Sequence, residues 1–160
     1  FIKLPDNDFN EYIMGEGLTQ VQRLRSQSGA QDREGRELYS RYAKLLLGGG
    51  GVQPLGHTLE IVSEKDPAEL RPNQALSIRV LFMGKPLAGV QVAAVYAGAK
   101  LQGHAFPVTA ITNGEGRALL RLDRGGLWYA RLIHMVPAQG DPEVDWRSFF
   151  ATVTFSIPTR

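Results

Sequence analysis

The feature that most constrains this chain is a change of hydrophobic period at His57. Beyond it, apolar residues recur at every second position, as in Leu76, Ile78, Val80 and Phe82, the pattern of a strand with one face in a core. Comparable runs occupy Thr58–Val62, Val90–Ala97, Val108–Thr112, Arg117–Leu122, Leu127–Met135 and Phe149–Ser156. Met83-Gly84-Lys85-Pro86, Asn113-Gly114-Glu115-Gly116 and Asp123-Arg124-Gly125-Gly126 separate several of them; such residues tolerate positive φ or preset a turn. Seven short strands with no helix between them, in about 100 residues, predict an antiparallel β-sandwich over 57–160.

The first 47 residues carry a different pattern. Phe9, Tyr12 and Ile13 at helical spacing, behind the carboxylates of Asp6 and Asp8, predict a short helix that Gly15 and Gly17 weaken. Thr19 with Gln22 has the form of a capping box for a second helix through Val21 and Leu24. Leu38, Tyr42, Leu45 and Leu46 share one stripe, and Glu37 precedes Arg41 by four residues, which predicts a third helix over 33–47 with a solvated basic face. Residues 1–47 are thus expected to be a helical segment. Residues 48–56, opening with Gly48 to Gly51, would be a flexible connector.

Composition excludes several functions. The 160 residues contain no cysteine, which removes disulfides, thiolate nucleophiles and Cys-containing zinc sites. A formal charge of +2, despite a pI near 9.1, is too small to build the potential that nucleic acid requires. Apolar stretches fall far short of the ~20 residues that span a bilayer, so a soluble chain is expected. Its opening at Phe1, without a signal-like segment, suggests a processed or trimmed piece. The nucleophile elbow, the phosphate loop, the zinc-protease helix and the dinucleotide fingerprint are all absent from the sequence. A non-enzymatic protein is the expectation.

The histidines locate the candidate site. If the seven strands alternate up and down, His57 at the start of the first and His134 at the end of the sixth share one end of the sandwich. His57 has the parity of Leu59 and Ile61, and His134 that of Trp128, Ala130 and Leu132, so both would sit on a core-facing rim. The connection after His134 carries Asp141, Glu143 and Asp145. Imidazole and carboxylate together suit a divalent transition ion, so His57, His134 and Asp145 are the candidate metal ligands. Glu60, three residues after His57, would be a supporting or solvent-facing carboxylate. The competing reading makes both histidines strand-end caps. His104 falls in the fourth connection, at the opposite end.

Several segments resemble a known family. Phe9-Asn10-Glu11-Tyr12, Arg36-Glu37-Leu38-Tyr39-Ser40-Arg41-Tyr42, Pro54-Leu55-Gly56-His57-Thr58-Leu59, Met83-Gly84-Lys85-Pro86, Ile133-His134-Met135 and Asp145-Trp146-Arg147-Ser148 occur in order along nearly the whole chain. Together they are similar to an exported bacterial family of uncharacterised function, itself similar to the periplasmic component of nickel-uptake systems. The C-terminal half resembles prealbumin-like and carboxypeptidase-regulatory sandwiches. The resemblance implies a periplasmic or otherwise exported accessory protein with a seven-stranded Ig-like or prealbumin-like fold and a nickel or zinc ion. Its partner would be a membrane transport component or another exported protein, and the resemblance makes residues 1–47 a remnant of, or linker from, a missing N-terminal domain. The alternative is a structural or adhesion-type Ig-like module without metal. More remote is a non-haem iron enzyme of prealbumin-like fold, using Tyr39, Tyr42, Tyr96 or Tyr129 beside the two histidines.

Overall fold

The computed structural model describes residues 1–48, 52–101, 103 and 105–159. His104, and Gly49 to Gly51 of the expected connector, lie outside the described residues. The chain is mainly β, with 45% of residues in strands and 14% in helices. The elements are β1 (Ile2–Leu4), α1 (Asp6–Gly15), α2 (Thr19–Gln27), β2 (Gly35–Leu45), β3 (Leu59–Ser63), a 3-10 turn (Pro67–Glu69), β4 (Ala75–Phe82), β5 (Lys85–Pro86), β6 (Gln91–Tyr96), β7 (Val108–Ile111), β8 (Arg117–Arg121), β9 (Gly126–Pro137) and β10 (Trp146–Ile157).

All seven runs with the two-residue period are strands, but the count is ten, in two open sheets. One sheet has the order β1-β2-β10-β9-β6-β7; in the other, β4 pairs with β3, β5 and β8. This is not the plain up-and-down succession assumed from sequence, because β6 pairs with both β7 and β9 whereas β8 pairs with β4.

The expected third helix is instead the strand β2. Its helical stripe is not buried: Leu45 is exposed and Leu38, Tyr42 and Leu46 are only half-buried, while Gly35, Glu37 and Lys44 are buried. The i, i+4, i+7 spacing is local information. The strand is held by partners distant in sequence, such as Leu4 opposite Gly35 and Ile2 opposite Glu37, and such pairing overrides helix propensity. The first two helices form where the spacing places them. Neither has a side-chain cap, so the Thr19 box is not made: Leu18 is the N-cap and Thr19 the first helical residue.

The chain divides into two compact units, Phe1–Arg41 with Ile133–Phe150, and Tyr42–Leu132 with Ala151–Arg160. In the first, Phe9 and Ile13 of α1 join Leu18, Val21, Ile133, Met135 and Trp146 in one buried cluster. Arg25 is also buried there, 2% exposed. It donates to the Asn10 side chain at 3.1 Å and to the Arg33 carbonyl at 2.7 Å, with its guanidinium 4.8 Å from the centre of the Phe9 ring.

In the second unit the alternation read from sequence is realised as burial. Leu59, Ile61, Leu76, Ile78, Val80 and Leu120 are buried, and so are Val92, Ala94, Trp128, Ala130, Val153 and Phe155. Register pairs like with like, as in Ile61 opposite Val80 and Leu76 opposite Leu120. The turn into β8 requires Gly116: its φ is +72°, and a Cβ there would lie 2.7 Å from the Val80 carbonyl oxygen.

Candidate functional site

The four residues nominated from sequence occupy separate settings. His57 and Glu60 belong to the second unit, His134 and Asp145 to the first. His57 is half-buried, its ring centroid 5.3 Å from that of Tyr42. His134 is buried on β9, as its parity predicted, and burial pushes its imidazole below the usual histidine range. Asp145 is gripped by Arg36. The backbone N–H and Nε of Arg36 each donate to Oδ2 at 3.0 Å, and Nη2 donates to Oδ1 at 2.8 Å. The hydrogen-bonded Arg36 side chain holds the carboxyl well below its ordinary value.

Glu60 is not solvent-facing. Its side chain is 1% exposed and pairs at 2.7 Å with the Lys44 ammonium, itself 4% exposed. The amides of Leu55 and Gly56 also donate to Glu60, at 2.7 Å and 3.1 Å. Burial alone pushes this carboxyl up, but Lys44 and the two amides outweigh it and leave the group below its ordinary range. Among the described residues, no group of three His, Asp or Glu is placed to hold a metal ion.

Sequence reasoning missed Glu37, which it put on a solvated helix face. Its relative exposure is 0%. Oε1 accepts from the Tyr12 hydroxyl at 3.3 Å and from the Ser148 hydroxyl, whereas Oε2 is buried without a hydrogen-bond partner. Burial raises this carboxyl above its ordinary value against the smaller, opposing hydrogen bonds of Ser148 and Tyr12. Only the parity it shares with Gly35 hinted at this, and only once the segment is read as a strand.

A groove of about 320 Å³ opens in the second unit, lined by the apolar Val52, Pro54, Val62 and Leu81 and by the polar Ser63, Glu64 and Arg79. Register explains the polar edge. Arg79 of β4 lies opposite Val62 of β3 and Arg117 of β8. Glu64 follows directly after β3, its amide donating to the Ser77 carbonyl at 2.9 Å. The Glu64 carboxylate accepts from Arg117 Nε at 2.7 Å and from the Ser77 hydroxyl at 2.6 Å. The Arg117 contact comes first in depressing its pKa. Arg79 approaches the same carboxylate only to 3.7 Å, beyond hydrogen-bond distance, and its Nε has no partner among the described residues.

A second hollow of about 340 Å³ is walled by Leu45, Leu46, Leu47, Leu127 and Pro158. Its charged lining residue, Asp66, caps the 3-10 turn by accepting from the Ala68 amide at 2.9 Å. The hollow therefore offers burial but no uncommitted charge to orient a ligand.

Comparison with curated proteins and with solved structures gives no match. The similarity to nickel-uptake components implied by the sequence segments has no support there. Residues 6–136 match the family described as Domain of unknown function (DUF4198), and the chain belongs to that family.

Proposed function

We propose that this member of the DUF4198 family is a non-enzymatic binding module that holds an anionic group in the groove at Arg79. What supports the reading is the state of that side chain. Arg79 lines a concavity, its side chain 35% exposed; its Nε has no hydrogen-bond partner among the described residues and stands 3.7 Å from Glu64, a carboxylate already occupied by Arg117 and Ser77. A guanidinium is a planar fork of donors matched to carboxylate and phosphate oxygens. Beside low-dielectric apolar walls, such a contact is worth more than on open surface.

The proposal keeps the exported binding or accessory class implied by the sequence resemblance, with an Ig-like or prealbumin-like sandwich as scaffold. Divalent-metal binding of nickel or zinc type is less favoured, because Asp145 is held by three hydrogen bonds from Arg36, and Glu60 by Lys44 and two amides. A bound ion would have to displace these donors before using the oxygens.

Titration of the isotope-labelled chain with acetate and with inorganic phosphate tests the proposal. Shifts should concentrate on the Arg79 side-chain N–H and the amides of Val62, Glu64 and Leu81. The same shifts in Arg79→Gln would refute the site.

A further inference from the structure

Glu64 and Arg79 are the charged side chains that line the groove, and Glu64 is occupied. Arg117 donates to Glu64 and to Glu115, and Glu64 also accepts from Ser77. Arg79 Nε has no hydrogen-bond partner among the described residues. With one guanidinium and one carboxylate lining it, the groove has no excess positive charge for a dianion. The Glu64 carboxylate, 3.7 Å from Arg79 Nε, would repel the second negative charge of a phosphate. A planar carboxylate brings one charge and two oxygens to one guanidinium edge. The other lining residues are Ser63 and the aliphatic Val52, Pro54, Val62 and Leu81, and water leaves aliphatic walls favourably when a hydrocarbon group replaces it. The volume, about 320 Å³, is at the small end of the ~300–1,000 Å³ range of ligand pockets.

We infer that the groove at Arg79 takes a small branched aliphatic carboxylate, its oxygens on the Arg79 guanidinium and its hydrocarbon part against Val62, Leu81 and Pro54. This rests on the anion-binding reading above and narrows it to one ligand class, a free short-chain acid.

Calorimetric and NMR titrations of the full chain with isovalerate, isovaleramide, inorganic phosphate and a peptide ending in a free leucine carboxylate test it. Isovalerate should bind saturably and shift the Arg79 side-chain N–H. Isovaleramide, which has the same shape without the charge, should bind at least about tenfold more weakly, and so should isovalerate to Arg79→Gln. Arg79→Lys, which keeps the charge but not the fork, should fall between. It also serves if the Gln variant does not fold, as circular dichroism would reveal.

Binding of phosphate but not isovalerate, lost in Arg79→Gln, would overturn the ligand class and leave the anion site standing. Binding of the peptide but not the free acid would likewise overturn the class in favour of a chain terminus. Equal affinity for isovalerate and its amide would refute carboxylate recognition. Binding unchanged by either substitution, or no anion bound at all, would overturn both the class and the site.

Discussion

Gly35→Ala should be among the most damaging single-methyl changes in this chain. A Cβ built on Gly35 lies 2.2 Å, 2.3 Å and 2.5 Å from three carbons of the Phe9 ring. Carbon atoms in contact normally sit ~3.5–4.0 Å apart, so the ring must retreat by more than about 1 Å. It has nowhere free to go. Phe9 is 0% exposed in a cluster with Ile13, Leu18, Val21, Ile133, Met135 and Trp146, and the Arg25 guanidinium lies 4.8 Å from the ring centre. Overpacking of this kind costs about 1–3 kcal/mol. The upper bound is expulsion of the ring, comparable to the ~3–5 kcal/mol of a Phe→Ala change. Better strand propensity of alanine returns roughly 0.5–1 kcal/mol, leaving an expected net loss of about 2 kcal/mol. For a chain of this size that lowers Tm by roughly 4–8 °C. Urea denaturation followed by tryptophan fluorescence reads it, since Trp146 belongs to the same cluster. A double-mutant cycle isolates the cause: with Phe9→Ala already in place, the added methyl enters vacated space and should cost less than about 0.5 kcal/mol. A loss in Gly35→Ala that is negligible, or that is the same with and without Phe9, would refute the reasoning.

Two buried carboxylates should give opposite pH signatures. Glu37 is held above its ordinary value by burial, so the folded state binds its proton more tightly than the unfolded state. Its contribution is fully present below the unfolded pKa and is lost as pH rises through the folded one. Glu37→Gln should remove that decline, and urea melts of both proteins across the acid-to-neutral range should diverge as pH rises; parallel curves would contradict it. Glu60 is held below its ordinary value, where Lys44 and two amides prevail over burial, so its contribution is present above the unfolded pKa and lost as pH falls through the folded one. Lys44→Met, which leaves the Glu60 charge buried and unpaired, should cost about 3–5 kcal/mol. Lys44→Met with Glu60→Leu should recover most of that loss, and failure of the double variant to recover would show that the amides of Leu55 and Gly56, not the charge, govern this region.

The division between sequence and tertiary structure follows range. The seven strands from β3 onward, apart from the two-residue β5, were legible because burying one face of a strand writes a two-residue period into the chain itself. Gly116 and its turn were legible for a similarly local reason, since positive φ selects glycine. Helices α1 and α2 were marked by the spacing of Phe9 with Ile13 and of Val21 with Leu24, although their caps were not.

Strand β2 was not legible, because Leu38, Tyr42 and Leu45 satisfy a helical stripe and the partners that make the segment a strand lie elsewhere: β1 some thirty residues back on one side and β10, more than a hundred residues on, on the other. The site residues divide in the same way. Parity placed His134 in a buried position, but it could not reveal that Arg36 would take Asp145 across 109 residues, that Lys44 would neutralise Glu60, or that Glu37 would be sealed beside Ser148. Periodicity records which face of an element leaves water. Which charge meets which, and which guanidinium nitrogen is left without an acceptor, depends on strand pairing and loop placement that no local window of the sequence contains.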